Sequence, residues 1–211
     1  MSLIRINPYA PEEELIGQAS RVLKKGGVIG YPTDTVYGIG CNAFDHKAVN
    51  RIYDLKNRDH SKAMILIAAD LIQIQDLVKE IPESAQILAE NFWPGPLTIV
   101  FELSEKFTAL TVGNRNTVAI RIPDSLISLS LLKSCGFPIV STSANRSGQP
   151  ESVIAEQVLE TFGSELDLII DGGPTPSSLT STVVDVTRPK PKVLREGAVS
   201  ILEINTVLDI L

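Results

Sequence analysis

Residues 26–41, GGVIGYPTDTVYGIGC, constrain this chain more than any other stretch. Two glycines end whatever precedes, and Val28-Ile29 reads as a short buried strand. Pro32 stops that strand, because proline has no backbone N–H to give to a ladder. Thr33, Asp34, Thr35 and Tyr37 then crowd into five positions, followed by Gly38 and Gly40. Hydroxyls and a carboxylate at the end of an apolar strand suit a ligand-facing loop, since open α/β sheets bind at strand ends. A polar turn capping the next helix is the plainer reading of the same residues. The two glycines allow either close backbone approach or positive φ.

The rest of the chain repeats the alternation of strand and helix. Pro11 and the acids Glu12, Glu13 and Glu14 start a helix. Its apolar face is Leu15, Ile16, Ala19, Val22 and Leu23, and Lys24-Lys25-Gly26 close it. Asp45 caps a second helix with Val49, Ile52 and Tyr53 on one face, leading to the polar loop 56–62. Residues 63–68 read as a strand, 71–79 and 84–92 as helices broken at Pro82, and 97–103 and 117–122 as strands. Trp93 belongs to a rigid turn, as a core anchor or turn packer. Residues 126–134 suggest a helix, and 137–140 a strand emptying into the loop 141–148. A helix over 155–162, a strand over 168–170, a closing strand pair over 182–186 and 192–194, and a last helix bearing Ile201, Ile204, Val207 and Leu208 complete the chain. The expected architecture is a twisted, mixed parallel and antiparallel open α/β sheet with helices packed on it, as one domain over 1–211 with no additional C-terminal domain.

Charge and composition narrow the chemistry. Nineteen Lys and Arg against 25 Asp and Glu give a net charge of −6, which opposes wholesale coating of nucleic acid. A local basic pocket for a small anion stays open. Cys41 and Cys135 are far apart and give neither metal spacing nor a disulfide framework, and no stretch has the length of a membrane span. A reducing cytoplasm is the default location. No G-x-x-x-x-G-K-[ST] loop is present, and Gly38-Ile39-Gly40 lacks the third glycine of the dinucleotide fingerprint. His46 and His60 suit surface or capping roles better than zinc or a Ser-His-Asp hydrolase around Ser143.

What remains is cations and hydroxyls. Hydroxyl-rich loops at 33–37, 141–147 and 180–182, joined by Lys56, Arg58, Lys62, Arg121 and Arg195, would form a pocket for a phosphate-bearing ligand. Lys56 and Arg58 follow a helix directly, so they serve either its C-terminal dipole or that ligand. Arg121 stands in an otherwise apolar strand and needs a ligand or a structural ion pair. Such an inventory suits chemistry by positioning and charge stabilisation, of which phosphoryl or nucleotidyl transfer is the leading example.

Six segments, in order, carry a resemblance. Residues 31–38 (YPTDTVYG), Lys56-Asn57-Arg58, residues 119–123 (AIRIP), Ser143-Ala144-Asn145, residues 181–185 (STVVD) and Arg195-Glu196-Gly197 resemble the YrdC-like threonylcarbamoyl-adenylate synthases. The resemblance implies a YrdC-like fold and an L-threonylcarbamoyladenylate synthase. Such an enzyme is a nucleotidyltransferase forming threonylcarbamoyl-AMP and pyrophosphate from L-threonine, bicarbonate and ATP with Mg2+. The product feeds the threonylcarbamoyladenosine modification through a downstream tRNA threonylcarbamoyl-transferase complex. By similarity Thr35, Arg121, Ser141 and Ser181 hold threonine. Lys56, Arg58, Lys62, Thr117, Ser143, Asn145 and Arg195 hold ATP, Lys56 and Arg58 being the catalytic pair. No metal ligand is expected from protein side chains. Asp59 and Ala63 replace prolines usual in the family, which predicts a looser loop and a weaker local field. The alternative from the same resemblance is a non-catalytic or differently specific paralogue that binds tRNA or double-stranded RNA weakly through its basic cleft.

Overall fold

The computed structural model describes residues 2–107 and 116–209. Its strands are β1 (Ser2–Arg5), β2 (Ile29–Tyr31), β3 (Gly38–Asn42), β4 (Ile65–Ile67), β5 (Leu97–Glu102), β6 (Thr117–Arg121), β7 (Ile139–Ser143), β8 (Leu168–Asp171), β9 (Thr182–Asp185) and β10 (Lys192–Arg195). The α-helices are α1 (Glu13–Lys24), α2 (His46–Lys56), α3 (Glu83–Phe92), α4 (Leu126–Cys135), α5 (Ala155–Phe162) and α6 (Ile201–Val207). Helix ends follow local chemistry. Acids Glu13 and Glu14 occupy the first turn of α1, and Gly26 at φ +81° turns the chain away after it. Asp45 accepts the Lys47 and Ala48 amides at the start of α2, and Ser200 and Glu203 form a capping box on α6.

One mixed sheet joins the strands in the order β1-β8-β2-β3-β7-β4-β6-β5-β9-β10. Pairing is parallel at β1/β8, β8/β2, β4/β6 and β5/β9, and antiparallel elsewhere. Alternation along each strand sends side chains to two faces. On one face Ile39, Cys41, Leu66, Ile99, Phe101, Val118, Ile120, Val140 and Val184 form a core with the apolar sides of α2, α3, α5 and α6. On the other face Ile29, Tyr31, Ile67, Ile139, Leu168 and Ile170 pack under α1 and α4. These two helices cover only part of that face. Its continuation carries Gly38, Ser141, Ser143, Ile65, Arg121, Ala119, Thr117, Val100, Val183 and Asp185, and is the floor of a cleft.

The architecture is the expected mixed open sheet, with four local differences. β1 and β3 were not expected as strands. Gly38 and Gly40 lie in β3 and are absent from the positive-φ glycines, so close approach is their reason for being glycine. A Cβ on Gly40 would stand 2.6 Å from the Val140 carbonyl oxygen and 3.0 Å from the Tyr31 ring. β7 runs on to Ser143, so Ser141 and Ser143 belong to a strand rather than a loop. Residues 71–79, expected as a helix, form successive turns. The Lys79 amide bonds the Glu102 carbonyl, the Ser104 amide bonds that of Leu77, and Val78 bridges Leu103. Pairing with the end of β5 outweighs the local helical pattern there.

Glycine at 38 and 40 lets the Tyr31 ring lie across β3 and reach β7, where its hydroxyl meets Ser141 Oγ at 2.6 Å. Gly40→Ala forces backbone or ring to move. We expect a loss of about 1–3 kcal/mol from overpacking, read as a fall in Tm of roughly 2–12 °C in thermal unfolding; an unchanged Tm would refute the close-approach account.

Candidate functional site

The cleft is built outward from Arg121. This residue, at the end of β6, is 4% exposed. Nε donates to the Gly95 carbonyl at 2.9 Å, Nη1 to Thr35 Oγ1 at 2.9 Å and Nη2 to Asp34 Oδ1 at 2.5 Å. Asp34 is therefore its ion partner, in a pair buried on both sides. A guanidinium has five N–H donors, so one N–H stays on each terminal nitrogen, the fork that accepts a carboxylate in bidentate fashion.

The neighbouring hydroxyls are oriented by their own partners. Thr33 Oγ1 donates to the Val36 carbonyl at 2.7 Å and accepts the Thr35 amide at 3.1 Å. Its single proton is thereby committed, so in the 2.9 Å Thr33–Thr35 contact Thr35 donates. Thr35 then faces the cleft as an acceptor. Ser141 has the opposite polarity. Tyr31, whose pKa burial drives far above the ordinary phenol value, donates to Ser141 Oγ, leaving the serine proton free for a ligand. At the next strands Ser181 Oγ shares a hydrogen bond of 2.8 Å with the buried Thr98 hydroxyl. Arg195 donates to the Ser181 carbonyl at 2.6 Å.

Cations from three further segments complete the walls. The cleft, about 510 Å³, is lined by Arg58, Arg121, Arg188 and Arg195 against the single carboxylate Asp185, among the described residues. A larger hollow of about 1190 Å³ carries Asp34, Asp124, Asp171 and Glu156 and is the wrong sign for an anion. Of the candidates from the sequence, Thr35, Arg58, Thr117, Arg121, Ser141, Ser143, Ser181 and Arg195 converge on the cleft wall. Lys62 is exposed and off the wall, and Lys56 and Asn145 are buried behind it. Arg188 and Thr187 line the cleft without having been singled out. Their only signal was a polar pair following the β9 strand.

The K-x-R residues part company at Asn57. Its φ of +48° ends α2 in the left-handed conformation that asparagine tolerates. Lys56 turns inward and is 2% exposed, while Arg58 reaches the cleft. Lys56 Nζ donates to the Ser143 carbonyl at 2.5 Å, the Asn145 carbonyl at 2.7 Å and Asn145 Oδ1 at 3.0 Å. Burial first, then the charge of Arg58, lowers its pKa to about 8. Arg58 donates to the Lys62 and Ala63 carbonyls, and Asp59 accepts the Ser61 amide. The loop is therefore braced by hydrogen bonds where the usual prolines are missing, and Asp59 faces its own turn. Among the described residues no cluster of three His, Cys, Asp or Glu could hold a metal ion, and no helix is long and apolar enough to cross a membrane.

Comparison with known proteins identifies the family. A family model described as Telomere recombination (Sua5_yciO_yrdC) matches residues 21–197. The threonylcarbamoyl-AMP synthase of Pyrococcus abyssi is 42% identical over 197 residues, covering 93% of this chain and 58% of that protein. That of Bacillus subtilis is 38% identical, covering 92% and 56%. The chain thus spans less than two thirds of the length of these two relatives. The Vibrio vulnificus threonylcarbamoyl-AMP synthase is 41% identical over 157 residues, which are 74% of this chain and 84% of that one. The crystal structure of P. abyssi Sua5 complexed with L-threonine superposes with a TM-score of 0.93 at 40% identity, covering 98% of this chain and 60% of that one. E. coli YciO superposes at 0.87 with 30% identity, covering 97% of this chain and 100% of that one. The chain belongs to the Sua5/YciO/YrdC family.

Proposed function

We propose that this chain is an L-threonylcarbamoyladenylate synthase, a nucleotidyltransferase. Its substrates would be L-threonine, bicarbonate and ATP, and its products threonylcarbamoyl-AMP and pyrophosphate. The observation that carries the reading is the buried fork of Arg121 on the same cleft wall as Arg58, Arg188 and Arg195. A carboxylate site thus adjoins a site with the charge for a polyphosphate. The naming of the relatives and the threonine complex of P. abyssi Sua5 point the same way.

In this reading the threonine carboxylate meets the free N–H groups of Arg121 and the Ser141 hydroxyl. Its amine faces the acceptor oxygen of Thr35, and Ser181 closes the pocket. The uncharged amine adds to CO2 derived from bicarbonate, forming an N–C bond and releasing one proton to give the carbamate. A carbamate oxygen then attacks the α-phosphorus of ATP, and the bond to the β-phosphate oxygen breaks as pyrophosphate leaves. No covalent enzyme intermediate is required, and positioning with charge neutralisation supplies the rate. Arg58, Thr117, Ser143 and Arg195, on the cleft wall, are assigned to ATP, with Asn145 acting behind them through Ser143. The Ser143 proton is committed to Asn145 Oδ1 at 2.6 Å, so Ser143 suits a donor such as a nucleoside hydroxyl. Mg2+ would be carried by the phosphate oxygens and would offset their charge, with Asp185 the carboxylate lining the cleft. The product would pass to the transferase complex that modifies tRNA in the cytoplasm. The net charge of −6 leaves direct RNA binding weak and salt-dependent.

Mixing the protein with α-labelled ATP, threonine and bicarbonate should yield labelled threonylcarbamoyl-AMP and pyrophosphate. Pyrophosphate release that is indifferent to threonine would defeat the assignment. Arg121→Lys keeps a charge but loses the fork, so threonine affinity should fall by about tenfold or more while ATP affinity stays within about twofold. Equal losses for both ligands would place Arg121 in a purely structural role. Arg58→Ala should weaken ATP by at least roughly tenfold, from the loss of a charge-assisted contact worth about 1.5–3 kcal/mol; wild-type ATP affinity would remove it from the phosphate site.

A further inference from the structure

The Lys56 ammonium has three N–H donors, and all three are engaged inside the protein. Two of its acceptors are backbone carbonyls, of Ser143 and Asn145; the third is the Asn145 side-chain oxygen. The backbone of the same residue holds the same segment from its other end. The Lys56 carbonyl accepts from Ser147 Oγ at 2.9 Å and from the Ser147 amide at 3.4 Å. One residue earlier, the Leu55 carbonyl accepts from the Arg146 guanidinium. These carbonyls lie at the C-terminus of α2 and have no helical partner of their own, so segment 143–147 completes the helix end while the helix end shapes the segment.

The consequences reach the cleft through Asn145. Its Oδ1 accepts from both Lys56 and Ser143 Oγ, and its Nδ2 donates to the Gln149 carbonyl at 2.5 Å. Ser143 is the member of this network on the cleft wall, whereas Lys56 lies behind that wall at 2% exposure. We infer that Lys56 is a positioning residue: its buried ammonium moulds the 143–147 segment that presents Ser143 to the nucleotide, and it does not itself touch phosphate. This rests on the ATP-dependent reading above for its functional part alone. The two halves of the K-x-R element then do different work, Arg58 toward the ligand and Lys56 toward the loop.

The test separates the two roles in protein without ligand. Lys56→Met keeps a long apolar stem and takes the ammonium away from three buried acceptors, of which Asn145 Oδ1 and the Ser143 carbonyl keep one other donor each. Amide hydrogen exchange across residues 143–149, where the Asn145, Ser147 and Gln149 amides are bonded within or beside the loop, should accelerate by at least about tenfold. ATP affinity measured by titration should fall by about tenfold or more while threonine affinity stays within about twofold. Arg58→Ala is the contrast, losing ATP with ligand-free exchange unchanged. If Lys56→Met does not fold, Lys56→Arg replaces it. A direct phosphate ligand would tolerate arginine, whereas a fitted ammonium site should show faster loop exchange and weaker ATP binding despite the retained charge. Unchanged exchange in the variant that folds, with ATP lost as in Arg58→Ala, would overturn the inference. A wild-type protein that binds no ATP would refute the proposed function but leave the exchange comparison intact as a test of the clamp.

Discussion

A guanidinium buried in the middle of a sheet is the constraint around which this molecule is arranged. Leaving such a charge unpaired in an apolar interior is strongly unfavourable, and removing one partner of a buried pair commonly costs about 3–5 kcal/mol. Arg121 is satisfied by two segments distant from it in sequence: Asp34 and Thr35 after β2, and Gly95 in the turn before β5. The pair thereby ties the hydroxyl loop to the centre of the sheet. Asp34 Oδ2 is buried with no hydrogen-bond partner among the described residues, so the local network is polarised toward the arginine on one side only. An ion pair that merely held the fold together would be replaceable by packed apolar side chains. Here the arginine also borders an open cleft with two donors in hand, which gives the charge a use.

The cleft exists because the helices do not cover the whole sheet. α1 and α4 pack over Ile29, Tyr31, Ile139, Leu168 and Ile170, and the same face continues uncovered past Ser141 to Asp185. The period of two that buries Ile39, Val140 and Ile120 on the far face sets Gly38, Ser141, Ser143 and Arg121 on the near one. A sheet with one face half bare carries a polar floor without burying unpaired groups. The ring of Tyr31, passing over Gly38 and Gly40, joins the covered half to the bare half.

Much of this was legible in the chain. The apolar strand, proline stop and hydroxyl cluster at 28–37 announced a loop at a strand end, and Arg121 within Val118-Ala119-Ile120-Arg121-Ile122 announced a charge in need of a partner. The partner itself lay in the same hydroxyl loop, but Asp34 and Arg121 are separated by 87 positions and only the β2-to-β6 geometry joins them. β3 was hidden because GIGCN has weak strand propensity, its strand character coming from the pairing of Gly38 and Gly40 with Ser143 and Ser141. Lys56 was misplaced in a solvated loop because its burial depends on the left-handed turn at Asn57 and on a segment almost ninety residues away. Arg188 gave only the weak sign of a polar pair after a strand, since it is the tertiary position of the β9 end that brings it to the cleft.

The central claim is that the cleft recognises an amino-acid carboxylate at Arg121. Calorimetric titration of L-threonine against threoninol, which keeps the amine and hydroxyl but lacks the carboxylate, tests it most directly. The account predicts saturable one-to-one binding of threonine and a loss of at least about tenfold for threoninol, the size of a charge-assisted contact. Threoninol binding as tightly as threonine would contradict it.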